Sequence, residues 1–239
     1  MRFAVLASGG GSNLQALLDH ILSGELPAEC VFVASNNSKA GALERARFAG
    51  IPAYHVSVHN EEVKRILEGS PLSVAFREDA VAERLIELID QYRVDLLVLA
   101  GYMKKVPEAV LRRLLNRVIN IHPALLPAFG GSGYYGEKVH AAVLRERHPV
   151  TGVTIHMVNE EYDEGQIVLQ RSVPVPAGAD LHALAERVLA KEHDSYWRVL
   201  KAFAQGKILP TTSTNPSRAV DIDPQWLSSV QALDGTHSP

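Results

Sequence analysis

Cysteine is almost missing from this chain: Cys30 is the single one in 239 residues, so an internal disulfide is excluded. It lies in the apolar run Cys30-Val31-Phe32-Val33-Ala34 and reads as a reduced core residue of a cytoplasmic protein. Long hydrophobic runs are missing too. Nothing approaches the roughly 20 residues of a membrane span, and the run from Arg2 to Ala7 is cut off by Ser8 and three glycines, too short for the core of a secretory signal. Charge of one sign is scarce: the formal net charge is −3, and no Lys/Arg block marks a nucleic-acid or anionic-membrane surface. Neither nucleic acid nor membrane is an expected partner, which leaves small molecules. The ten histidines include no His-Glu-x-x-His, and His55, His59, His140, His148 and His182 are scattered, so no metal is expected. No serine stands beside a suitable base, so a covalent nucleophile is not expected either.

What is there is a chain that is 46% hydrophobic, enough for one large core, with neither linker nor internal repeat. Apolar runs at 2–7, 29–35, 52–56, 94–100 and 117–121 alternate with amphipathic stretches near 12–22, 40–49, 78–92 and 107–115. Asp95-Leu96-Leu97-Val98-Leu99-Ala100 is apolar on both faces, as a strand covered on both sides must be. The fold class is therefore α/β: a single-domain, open, mostly parallel twisted sheet with helices on both faces. From 150 the pattern becomes two longer strands, 150–158 and 166–175, and a closing helix near 180–205. Residues 1–209 form the expected domain. The polar segment that begins at Thr211, interrupted by Ile222, Trp226 and Leu227, makes 210–239 a C-terminal tail packed partly on that domain.

The chemistry concentrates at the end of one strand. Val118-Ile119-Asn120-Ile121-His122-Pro123 places an amide and an imidazole two residues apart, on one face of an extended backbone. Pro123 stops regular pairing there and Pro127 fixes a turn soon after. Such a pair can polarise a carbonyl and move a proton. A second constellation joins the first strand to its helix: Ser8-Gly9-Gly10-Gly11-Ser12-Asn13. Glycines let backbone approach an anion, and a helix start offers unpaired amides. The loop is neither a dinucleotide fingerprint nor a Walker loop. Phosphate cradle and tight turn with Ser12 or Asn13 as cap are both open on spacing alone.

The run Asn120-Ile121-His122-Pro123-Ala124-Leu125-Leu126-Pro127 resembles the active-site signature of the folate-dependent formyltransferases, and the likeness extends from Arg2 to about Leu209. It is strongest to the branch that acts on glycinamide ribonucleotide in purine biosynthesis, because Gly11-Ser12-Asn13-Leu14-Gln15-Ala16 resembles that branch's phosphate loop. The resemblance implies a Rossmann-like formyltransferase fold, 10-formyltetrahydrofolate as co-substrate and glycinamide ribonucleotide as acceptor. Asn120, His122 and Asp163 are implied as catalytic; Asp163 falls seven residues after His156 in Gly152-Val153-Thr154-Ile155-His156, and His156 is implied as its support. Gly11, Ser12, Asn13 and Glu192 are implied as ribonucleotide ligands. Arg77, Met103, Lys104, Lys105, Val106, Asn120, Asn159, Glu160, Glu161 and Tyr162 are implied around the folate. In that scheme Asn120 and His122 stabilise the oxyanion, and Asp163 raises the His122 pKa, favours its cation and with it passes the proton to the departing folate.

The chain departs from the pattern in three places. Lys104-Lys105 stands where the family often has an arginine and an aliphatic residue, residues 57–76 look like an insertion ahead of Arg77, and 128–136 is a long glycine-rich loop, read as a mobile cover or an extra turn. A hydrolase of the same folate shares the Asn-His-Asp chemistry, but such relatives carry an N-terminal regulatory domain. Formyltransferases acting on tRNA or nucleotide sugars carry a further C-terminal one. A silent nucleotide-binding module using only the glycine loop is the reading from another class. The expected assembly is a monomer or a weak homodimer.

Overall fold

The computed structural model describes residues 1–58 and 74–235, with side chains described for 1–58 and 79–233. In chain order the elements are β1 (Arg2–Leu6), α1 (Ser12–Leu22), β2 (Glu29–Ser35), α2 (Gly41–Phe48), β3 (Ala53–His55), α3 (Val74–Gln91), β4 (Leu96–Leu99) and α4 (Glu108–Arg113). They continue with β5 (Val118–His122), α5 (Glu137–Arg145), β6 (Val150–Met157), β7 (Ile167–Pro174), α6 (Leu181–Ala204), β8 (Ile208–Pro210), β9 (Val220–Ile222) and α7 (Pro224–Gly235). A seven-stranded sheet has the order β3-β2-β1-β4-β5-β6-β7. β1 to β5 pair in parallel, and β6 and β7 complete the edge antiparallel. The expected mostly parallel, helix-covered sheet is what forms.

Alternation along each strand divides the core in two. Phe3 and Val5 of β1 and Leu96 and Val98 of β4 face one side, packed with Leu14 and Leu17 of α1 and Tyr196, Trp197, Val199 and Leu200 of α6. Ala4, Leu6, Leu97 and Leu99 face the other, against Leu85, Leu88 and Ile89 of α3 and Val110 of α4. Both faces of the central strands are thus apolar because each is covered by helices. No helix among the described residues is long and apolar enough to cross a membrane.

Two elements position the strand end that carries Asn120 and His122. After Pro123 the chain is held down by Thr154 of β6, whose hydroxyl donates to the Ala124 carbonyl at 2.6 Å and accepts from the Leu126 amide at 3.0 Å. Below the sheet's C-terminal edge, the fully buried Tyr196 aims its hydroxyl at the carbonyls of Leu99 and Ile119, 2.8 and 3.2 Å away. Tyr196→Phe keeps the ring and strips both contacts; urea unfolding is expected to register a loss of about 1–2 kcal/mol. An unchanged midpoint would mean that the hydroxyl carries no net stability.

The segment after Leu209 is more ordered than a polar tail suggests. β8 pairs with β9, and Val220 and Val230 are buried in the first core with Ile222, Trp226 and Leu227 packed against it. Most of the insertion expected at 57–76 lies outside the described residues.

Candidate active site

Asn120 and His122 leave β5 on the same face and meet residues from the antiparallel edge. Asn120 stands opposite His156 in the β5–β6 register, and its Nδ2 lies 3.1 Å from His156 Nε2. His156 Nδ1 donates to the Met157 carbonyl at 2.9 Å, and the Asn120 amide donates to Nε2 on the other side of the ring. One N–H of Asn120 remains for a ligand. His122 Nε2 donates to the Phe129 carbonyl at 2.7 Å, so its lone pair is on Nδ1. Asp163 lies between the two rings, 3.7 Å from His122 Nδ1 and 3.5 Å from His156 Nε2. The Asp163 carboxylate also accepts from the Gly131 amide at 2.9 Å, and its backbone is left-handed, φ 61°.

Burial pushes the His122 pKa down. That outweighs Asp163 and the Phe129 carbonyl, which push it up, and the result is below the ordinary histidine value. The expectation from sequence was a raised value; Asp163 does act in that direction, but the desolvation of a ring only 4% exposed is larger. For Asp163 burial pushes upward, yet the neighbouring His156 and His122 and the Gly131 amide together hold the carboxyl below the usual range. Near neutral pH the site is therefore an ionised carboxylate facing a neutral His122 with a free Nδ1. That is the proton-accepting form.

This cluster borders a cleft of about 490 Å³. Asn13 and Glu192 line the same cleft. Glu192 is on α6, one helical turn before Tyr196, and is buried rather than exposed. Asn13 Nδ2 donates to its Oε2 at 2.7 Å, while Asn13 Oδ1 is buried with no hydrogen-bond partner among the described residues. Burial, opposed by the Asn13 bond, pushes the Glu192 carboxyl up to about 7.

The cap of α1 is Gly11, left-handed at φ 77°, with no side-chain cap bond. Neither Ser12 nor Asn13 serves as the cap, and the first amides of α1 are left for an anion. Asn13 faces the cleft; Gly11 and Ser12 adjoin it in the chain without lining it. A Cβ on Gly11 would come within 2.7 Å of Ala42 Cα. Gly11→Ala is therefore expected to raise the Michaelis constant for a phosphorylated substrate by about tenfold and to lower the melting midpoint, read by steady-state kinetics and thermal unfolding.

Between β4 and α4, Tyr102 to Val106 form one wall of the cleft, and Asn159 to Tyr162 form part of the other. Met103, Lys104, Lys105, Glu160, Glu161 and Tyr162 are exposed, whereas Val106 is buried. Lys105 Nζ lies 5.9 Å from the Tyr162 ring centre, joining the walls across the mouth. Burial pushes the Tyr102 phenol up to about 12, so it stays a neutral donor. The backbone of Arg77 is in α3, but its side chain lies outside the described residues. Among the described residues no group of three or more His, Cys, Asp or Glu could hold a metal ion.

The chain is similar to proteins already known. A profile of the formyl transferase family matches residues 1–200. The chain belongs to the formyl transferase family. It is 36% identical over 208 residues to phosphoribosylglycinamide formyltransferase of Escherichia coli strain K12, covering 87% of this chain and 89% of that one. It is 38% identical over 208 residues to the chloroplastic phosphoribosylglycinamide formyltransferase of Vigna unguiculata, covering 87% of this chain but 62% of the longer plant protein. Among solved structures, glycinamide ribonucleotide transformylase 1 from Symbiobacterium toebii superimposes with a TM-score of 0.75 at 37% identity, over 93% of each chain.

Some contacts of this formyl transferase site are invisible in its sequence. The Phe129 carbonyl and the Gly131 amide hold His122 and Asp163, although the loop 128–136 reads only as a mobile cover or an extra turn. Backbone atoms carry no residue signal. Gln170 is likewise unmarked, yet its amide donates to the Leu126 carbonyl at 2.8 Å and to the Thr154 hydroxyl at 3.0 Å.

Proposed function

We propose that this formyl transferase moves the formyl group of 10-formyltetrahydrofolate onto the primary amine of glycinamide ribonucleotide, giving N-formylglycinamide ribonucleotide and tetrahydrofolate in purine biosynthesis. The observation that carries the reading is one cleft bounded by Asn120, His122 and Asp163 and also by Asn13 and Glu192. The first group suits a carbonyl under attack. The second suits the hydroxyls and phosphate of a ribonucleotide, with Gly11 and Ser12 at the start of α1 beside it.

The amine nitrogen attacks the formyl carbon, and the carbonyl π electrons move to oxygen. The free N–H of Asn120 donates to that oxyanion. The new ammonium nitrogen gives up a proton, which His122 Nδ1 accepts. Asp163, 3.7 Å away, then stabilises the imidazolium. The same proton passes to N10 as the carbon–N10 bond breaks, so the enzyme ends as it began. Met103 to Val106 and Asn159 to Tyr162 hold the folate, chiefly through backbone groups, with Arg77 as a further contact and His156 orienting Asn120 and Asp163.

Incubation with a folate carrying a ¹³C-labelled formyl group tests the reading. Carbon NMR is expected to place the label in the amide of the ribonucleotide. Label found in free formate would make the protein a hydrolase instead.

A further inference from the structure

The sheet reverses its winding between β1 and β4: from β1 the chain runs outward through β2 and β3, and from β4 it runs the other way through β5. The crevice above such a switch point is where an open α/β sheet ordinarily takes its ligand. Here it is bridged. Ser8, the second residue beyond β1, donates its amide to the Gly101 carbonyl at 3.0 Å, and its hydroxyl accepts from the Met103 amide at 2.8 Å. The same hydroxyl donates to Asn36 Oδ1 at 2.5 Å, and the Ser8 carbonyl accepts from Asn37 Nδ2 at 3.3 Å. Both hydrogen-bonding groups of its backbone and its side chain are used, and together they tie the ends of β1, β2 and β4.

The bridge sits under a partition. The cleft of about 490 Å³ and a second cavity of about 630 Å³ share Tyr102, Lys104, Lys105, Val106 and Glu160 in their linings. Asn36, the acceptor of the Ser8 hydroxyl, lines the second cavity, and Met103, its donor, lines the first. Gly101 at φ 71° lets the chain turn off β4 into this wall. Val106 is buried and Tyr102 packs against the second core, but Met103, Lys104 and Lys105 between them are exposed, so this part of the wall has little packing to fix it.

We infer that Ser8 is a positioning residue for the folate: its hydroxyl sets the Met103 amide and hence the shape of the 101–106 wall, without touching either substrate. The inference rests on the proposed reading that this wall receives the folate. A hydroxyl that serves as acceptor for one wall amide and donor to a side chain on the far side cannot be replaced by packing alone.

Steady-state kinetics of Ser8→Ala, with each substrate varied in turn, tests it. The expected result is a Michaelis constant for 10-formyltetrahydrofolate raised about tenfold, with that for glycinamide ribonucleotide and kcat within about twofold. Ser8→Ala/Asn36→Ala is expected to match Ser8→Ala, because both remove one relay. Three unchanged constants in Ser8→Ala, or equal rises for both substrates with a lowered melting midpoint, would overturn the assignment while leaving the functional reading standing. A wild-type protein that transfers no formyl group to the ribonucleotide would overturn both.

Discussion

Asp163→Asn is expected to lower kcat by about 10²-fold or more while the protein stays folded. The replacement is isosteric, and its amide oxygen can still accept from the Gly131 amide that holds the native carboxylate at 2.9 Å. What disappears is the negative charge beside His122 and His156. The imidazolium formed when His122 takes the proton then has no counter-charge in a buried site, where water cannot substitute. His122→Ala is expected to cost a similar factor by removing the acceptor itself. The pH profile separates the two roles. Since burial already sets the His122 pKa below the ordinary value, wild-type turnover should stay level through neutrality and fall only on the acid side as His122 becomes protonated. Asp163 is the main group pushing that pKa upward, so in Asp163→Asn the acid limb should move to still lower pH. Turnover within a fewfold of wild type in either variant would contradict the assigned proton path.

Glu192→Gln is expected to weaken the ribonucleotide and strengthen the fold. Its carboxyl is pushed up to about 7 by burial, whereas an unfolded chain leaves a glutamate near its ordinary value of about 4.3. Between those values the folded state holds a proton that the unfolded state has released. Stability from this group is complete at acid pH and is lost as pH rises through 7. Glutamine stays neutral throughout, and its oxygen can still accept from Asn13, the partner at 2.7 Å. Urea titrations at pH 4 and pH 8 should therefore show little difference at the acid point and a gain of up to about 3–4 kcal/mol at the basic one. The same change removes the carboxylate proposed to accept from ribonucleotide hydroxyls, so the Michaelis constant for that substrate should rise by about tenfold or more. A variant no more stable at pH 8 would mean that Glu192 ionises without penalty in the native protein.

What could be read in the sequence had short range or a fixed period. The two-residue step from Asn120 to His122, the stop at Pro123 and the doubly apolar β4 follow from strand geometry, and the sheet is built as they indicate. The seven residues from His156 to Asp163 could be placed only by resemblance, because nothing in an acidic turn distinguishes one carboxylate from its neighbours. Glu192 could not be recognised as buried: an amphipathic helix makes glutamate exposed by default, and only the seating of α6 against Asn13 reverses that. α5 has no start signal in the sequence, because the glycine-rich loop that ends at Gly136 runs straight into it. Its buried residues Val139, His140, Ala142 and Val143 nevertheless keep a helical spacing. The contacts of Phe129 and Gly131 are made by backbone groups, which any residue there could supply.

The most direct test of the account is the absorbance change as 10-formyltetrahydrofolate loses its formyl group, followed with and without glycinamide ribonucleotide. The account predicts deformylation only when the ribonucleotide is present, at a rate that saturates with its concentration. An equal rate without it would contradict the account, since water would then be the acceptor and the site around Asn13 and Glu192 would have no part in turnover.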